Sequence, residues 1–237
     1  MKKKGTLYLI PCPIAEGTTE KVIGEYVKEI LRPIRFFLVE DIRSARRYLS
    51  ILGIYPRIEE LYFSILDKNT AEAALAQLMS PLEEGKPVGV IAESGCPGIA
   101  DPGALAVRYA HTHGISVEPL VGPSSILLAL MASGLNGQRF AFHGYLPVEA
   151  HEASGAIKEL EKESRKKGQT QLFIETPYRN NALLAHLLKA LSEDTLLCVA
   201  QDITGPHSMI RTQPVKKWRA EAPRLLREPA MFLFLAR

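Results

Sequence analysis

Apolar residues in the first half of the chain come in short runs, and these alternate with stretches of helical spacing. Strands are predicted at residues 7–10, 36–40, 61–65, 88–92 and 117–120. Between the first two, Val22, Ile23, Tyr26, Val27, Ile30 and Leu31 recur three to four apart and mark one face of a helix. Residues 71–79 read as another. Asp101-Pro102 suits an N-cap followed by proline at the first helical position, and Gly114 suits that helix's stop. Such alternation predicts an α/β fold, with a parallel sheet covered by helices on both faces.

The second half has a different rhythm. Gly122-Pro-Ser-Ser125 opens a helix that runs to Ser133 and closes at Gly134. Strand 140–144, a charged helix over 150–167, strand 170–175 and a helix over 179–191 follow. Strands 196–201, 208–212 and 231–235 then come with only a short helical stretch at 216–224 between the last two. Three late strands with so little helix predict a mixed sheet. The expected domains are 1–118 and 119–237.

Composition changes this picture little. Hydrophobic residues are 46% of the 237 and charged residues 23%, ordinary for a globular protein with a core. The basic start runs into an apolar stretch too short for a leader and interrupted by Pro11 and Pro13. No run approaches the ~20 apolar residues of a membrane span. Cys12, Cys96 and Cys198 contain no CxxC pair, so neither a disulfide framework nor a cysteine-rich zinc site is expected. His111 and His113 lie two apart on a predicted helix and point to different faces, so no metal is expected there. These features lead us to expect a reducing, cytoplasmic setting. Charge is asymmetric: 14 basic and 15 acidic residues before position 119, against 15 and 11 after it. The basic second half is compatible with a polyanionic partner but does not demand one, and a solvated surface is the simpler reading.

Ligands of open α/β sheets bind outside the carboxyl ends of the strands. Three loops meet that condition: Pro11-Cys-Pro-Ile14, Glu93-Ser-Gly-Cys-Pro-Gly-Ile-Ala-Asp-Pro-Gly103 and Gly122-Pro-Ser-Ser125. The second is the most informative. Gly95, Gly98 and Gly103 permit close approach to the backbone, Pro97 and Pro102 stiffen it, and Glu93 and Asp101 bring carboxyl groups. There is no GxxxxGK[ST] and no GxGxxG after the first strand, so a nucleotide-phosphate site is disfavoured.

Residues 6–14, 39–43, 89–103, 119–135 and 140–147, with Leu172-Phe-Ile-Glu-Thr-Pro-Tyr-Arg179, resemble the consecutive motifs of the ribosomal small-subunit RNA ribose 2′-O-methyltransferase I family, within the tetrapyrrole-methylase superfamily. The resemblance implies two α/β domains, a cleft between them holding S-adenosylmethionine, and a homodimer. It implies cofactor contacts from Pro11, from Glu93, Ser94, Gly95, Cys96, Pro97, Gly98 and Ile99, from Gly122, Ser124 and Ser125, and from Glu175 and Thr176. The chain departs from the family at three places. Pro11-Cys-Pro-Ile-Ala-Glu16 stands for Pro-Thr-Pro-Ile-Gly-Asn, Glu93-Ser-Gly-Cys-Pro-Gly98 for Asp-Ala-Gly-Thr-Pro-Gly, and Gln201-Asp-Ile-Thr-Gly205 for Arg-Glu-Leu-Thr-Lys. Cys12 and Cys96 each replace a threonine and are expected near each other as reduced thiols.

A ribose hydroxyl must lose its proton as it is methylated, and Asp41 and Glu93 are the candidate bases. Asp41 reads equally well as a helix N-cap. Arg43, Arg46 and Arg47 share one helical face opposite Ile42, Ala45, Leu49 and Leu52, and with Arg179 they are candidate RNA contacts. The leading expectation is S-adenosylmethionine-dependent ribose methylation of RNA, with small-subunit ribosomal RNA as substrate. Two alternatives stay open: methylation of a tetrapyrrole or other small molecule, and a non-catalytic RNA-binding or ribosome-assembly protein that keeps the fold.

Overall fold

The computed structural model describes residues 3–237. The chain divides into two compact units, the first ending at Ser124 and the second spanning Ser125–Arg237. The division falls beyond the expected boundary at 118 because the segment after the fifth strand stays bound to the first unit. Leu120 N–H donates to Leu9 O at 3.0 Å, and Pro123 O accepts from the Cys96 thiol at 3.4 Å.

The first unit runs β1 (Thr6–Ile10), α1 (Thr19–Val22), α2 (Glu25–Leu31), β2 (Phe36–Val39), α3 (Ile42–Leu52), β3 (Tyr62–Ile65), α4 (Glu72–Leu78), α5 (Ser80–Glu83), β4 (Val88–Ile91), α6 (Gly103–Thr112) and β5 (Ser116–Pro119). All five strands are parallel, in the order β3-β2-β4-β1-β5. Alternation along the strands fills two cores. Ile10, Phe37, Val39 and Ile91 pack with Val27, Leu31, Tyr48 and Leu49 on one side of the sheet. Leu7, Leu38, Val88 and Val90 pack with Leu75, Met79, Ala106 and Ala110 on the other. Each fully buried aliphatic side chain contributes about 1.5–3 kcal/mol.

The helix expected over 22–31 is two short ones. Ile23 is extended at the end of α1, and Gly24 is extended as the N-cap of α2, where glycine's weak helix propensity favours a break. Pro102, rather than Asp101, occupies the N-cap of α6. The Asp101 carboxyl still accepts from Gly103 N–H, at 2.6 Å, and also from Gly98 N–H, at 2.8 Å, so it ties the loop to itself as well as to the helix.

The second unit runs α7 (Ser125–Ser133), β6 (Phe140–Phe142), α8 (Ala150–Lys167), β7 (Thr170–Glu175), α9 (Asn180–Ala190), β8 (Leu196–Gln201), β9 (Met209–Pro214), α10 (Val215–Glu221) and β10 (Ala230–Leu235). Its sheet is mixed, in the order β6-β7-β10-β8-β9, with β6 parallel to β7 and the other pairs antiparallel. Phe173, Phe232, Phe234, Leu187 and Trp218 build its core, and the Trp218 indole N–H donates to Leu197 O at 2.8 Å. Among the described residues, no helix is long and apolar enough to cross a membrane.

Candidate functional site

The strand order places β4 between β2 and β1, so β1 connects toward one edge of the sheet and β4 toward the other. At such a switch point the loops leave a crevice beyond the strands' carboxyl ends. The three loops singled out in the sequence meet there, each held by a specific contact.

Cys12 and Gly95 form an antiparallel bridge, Cys12 N–H donating to Gly95 O at 2.8 Å and Gly95 N–H to Cys12 O at 3.2 Å. The first loop is held from below as well, since the Tyr48 hydroxyl donates to Pro11 O at 2.7 Å. Gly122 brings in the third loop: a Cβ at this position would lie 2.1 Å from Pro11 Cβ, so only glycine fits. Gly95 has φ +70° and Gly98 φ +82°, the left-handed region that glycine enters without penalty. Ser125 begins α7 in the second unit. Cys12, Cys96 and Cys198 are free thiols. The thiol of Cys12 is pushed up by burial, then by the negative charge of Asp101 and the nearby Cys96, and that of Cys96 by burial. Both therefore stay protonated and poorly nucleophilic at neutral pH.

The second loop separates two cavities. One, of ≈ 690 Å³, is lined by Cys96, Pro97, Gly98 and Ile99 together with Leu9, Pro119, Leu120 and the Val107–Arg108 side of α6. Its wall is mostly apolar. The other, of ≈ 680 Å³, lies toward β2 and β3 and is lined by Glu40, Asp67, Lys68, Glu93 and the 100–102 turn. Both volumes fall within the ~300–1,000 Å³ of small-ligand pockets.

Glu40 is the residue that reading the sequence missed. Its carboxyl is pushed up to about 7, first by burial, then by a hydrogen bond with Asp101, then by the charges of Asp101, Glu93 and Asp67. A signal for it does exist in the sequence. Glu40 is two residues beyond Leu38, and strand alternation carries it to the same side of the sheet. Its neighbour Asp41 is instead the N-cap of α3, where its carboxyl accepts from Ser44 N–H at 2.7 Å. That hydrogen bond, aided by Arg43, holds the Asp41 carboxyl below its usual range.

Arg43, Arg46 and Arg47 are exposed on α3, as the spacing predicts, while Ala45, Tyr48, Leu49 and Leu52 are buried. Arg47 pairs with Glu16 at 2.7 Å, and the Arg46 guanidinium lies 5.3 Å from the Phe63 ring centre.

In the second unit, Glu175 ends β7 with its side chain fully buried. One oxygen accepts from Thr176 N–H at 2.7 Å, and the other pairs with Arg179 at 3.1 Å. Gln201, where the family resemblance expects arginine, joins its side-chain amide to the backbone of Leu226 in both directions, at 2.7 and 3.1 Å. Asp202 accepts from His207 N–H, and its carboxyl fills the space beside Gly205. The departures at 201–205 are thus absorbed as local structure. Among the described residues, no group of histidine, cysteine, aspartate or glutamate could hold a metal ion.

A model of the tetrapyrrole (corrin/porphyrin) methylases matches residues 29–217. Ribosomal RNA small subunit methyltransferase I of Escherichia coli O157:H7 is 31% identical over 212 residues, covering 90% of this chain and 70% of the relative. The protein of that name from Vibrio cholerae serotype O1 is 29% identical over 220 residues, covering 91% and 72%. Among solved structures, uroporphyrin-III-C-methyltransferase from Thermus thermophilus superposes with a TM-score of 0.55 at 18% identity, covering 98% of this chain and 92% of that one, and so shares the fold.

Proposed function

This chain belongs to the tetrapyrrole (corrin/porphyrin) methylases and is a methyltransferase; from that premise we propose that it methylates a ribose 2′-hydroxyl of small-subunit ribosomal RNA, using S-adenosylmethionine. The observation that carries the reading is the convergence of three loops on a crevice, with an apolar cavity on one side of the second loop and a carboxyl-lined one on the other.

The residues present fit the cofactor. Leu9, Pro97, Ile99, Pro119 and Leu120 offer an apolar wall for an adenine ring. Gly95 and Gly98 let the backbone approach closely, and the carboxyl groups nearby suit a cationic ligand. Bound there, the cofactor supplies a methyl group on a positively charged sulfur, ready for in-line displacement. The protein's part is positioning and proton transfer. Asp101 holds the loop's shape through two backbone N–H groups. We assign the hydroxyl's proton to Glu40, with Glu93 beside it, and assign Asp41 the role of helix cap. A carboxyl that ionises near neutral pH is suited to act as a general base. Arg43 and its neighbours on α3 are assigned to RNA phosphates. The reading extends to a homodimer working in the cytoplasm, and the free thiols suit that compartment.

Two measurements test the proposal. Calorimetric titration with S-adenosylmethionine should show saturable binding that Gly95→Trp abolishes, since that side chain would fill the crevice beside Ile14 and Pro123. Labelled methyl transfer to small subunits from a strain lacking this modification should yield alkali-resistant 2′-O-methylated RNA. Transfer to a tetrapyrrole but not to RNA would overturn the acceptor assignment. Absence of cofactor binding would overturn the enzymatic reading of the site.

A further inference from the structure

Tyr178 is 82% exposed, unusual for a tyrosine, and a guanidinium covers it: Arg227 lies 5.7 Å from the ring centre. Strand register brings the two together. Ala230 at the start of β10 pairs with Glu175 at the end of β7, and Arg227 and Tyr178 each stand three residues beyond that pair. The segment bearing Arg227 is held in place from below. Asn180 donates to Glu228 O at 2.6 Å, and Asn181 exchanges two hydrogen bonds with Leu225 at 2.9 and 3.0 Å. Gln201 adds its pair to Leu226. With the backbone fixed on both sides of Arg227, little conformational freedom remains to be lost on binding. Arg224 and Arg227 are exposed, whereas the nearby Glu175 is buried and paired with Arg179.

We propose that Tyr178 and Arg227 form a stacking platform for an unpaired nucleobase of RNA, with Arg179 and Arg224 beside it for the flanking phosphates. Aromatic rings and guanidinium planes take the face of any unstacked base, and RNA is read chiefly through such splayed bases. Charge complementarity favours a polyanion over an apolar partner. The inference rests on the RNA reading above but names a different surface, built from the second unit alone.

The test uses the full chain, an unstructured single-stranded RNA oligonucleotide and a fully paired RNA duplex, with small-subunit methyl transfer measured in parallel. Tyr178→Ala should weaken single-strand binding roughly 5- to 150-fold, the span of base–aromatic stacking, and leave duplex binding nearly unchanged. Tyr178→Phe, which keeps the ring, should bind like the parent. Arg227→Ala should weaken single-strand binding, and Arg224→Ala should flatten its salt dependence. Thermal denaturation of each variant separates lost contact from lost fold. If the parent methylates RNA and Tyr178→Ala, still folded, binds single strands as tightly, the platform is overturned while the methyltransferase reading stands. If Tyr178→Ala instead dissociates an oligomer without changing RNA affinity, the surface is a subunit contact and the platform is likewise overturned. A parent that neither binds nor methylates RNA overturns both.

Discussion

Glu40 shows how far one side chain's behaviour depends on neighbours distant in sequence. Burial, with Asp67 from one loop and Glu93 and Asp101 from another, raises its folded pKa from 4.5 to about 7. The raised value stabilises the folded state fully below 4.5, and that stabilisation is lost as pH rises through about 7. Glu40→Gln is therefore expected to melt higher than the parent above pH 7, with the gap closing toward acid. Melting curves across that range check this, and identical curves would remove Glu40 from the cluster. If Glu40 takes the hydroxyl proton, methyl transfer by the parent rises through about pH 7, and the variant loses most of its rate without losing cofactor affinity. Gly122 offers a second test at this scale. Gly122→Ala forces a Cβ against Pro11 and should separate the loops at a cost of about 1–3 kcal/mol, measured as lower stability together with weaker cofactor binding.

At the scale of elements, caps and tethers decide where chain segments point. Asp41 caps α3, and its depressed pKa means that its stabilisation is present above the usual 3.8 and disappears as pH falls below it. Asp41→Ala should lower the melting temperature at neutral pH, Asp41→Ser should restore it, and methyl transfer should persist in both. Abolished transfer with an unchanged fold would return Asp41 to the role of base. Glu161 is the corresponding tether in the second unit. From α8 its buried carboxyl accepts from Ser192 N–H at 2.8 Å, the Ser192 hydroxyl at 3.1 Å and the Thr195 hydroxyl, holding the α9–β8 turn. Glu161→Ala leaves the buried Thr195 hydroxyl unpaired and frees the turn at Ser192, and should cost about 1–3 kcal/mol in denaturant unfolding.

For the whole molecule, the excess of basic residues after position 118 should show itself as salt-sensitive RNA binding, each phosphate contact contributing about 0.7 to the logarithmic slope for single strands. Affinity insensitive to salt would argue against phosphate recognition. Local order alone determined much of the architecture. Short apolar runs and helical spacing predicted the parallel and mixed sheets, because their order along the chain shows where a helix must cross between strands and where strands follow one another directly. α8, β7 and β8 begin and end where their patterns do. The glycines and prolines of the second loop marked a candidate ligand site for a similarly local reason, since they constrain backbone torsions whatever surrounds them. Only the tertiary structure could raise the Glu40 carboxyl's pKa, bring Gly122 against Pro11, or set Arg227 over Tyr178. Those outcomes depend on strand order and register, which join residues far apart in the chain, and on burial and charge, which exist only once the chain has closed around them.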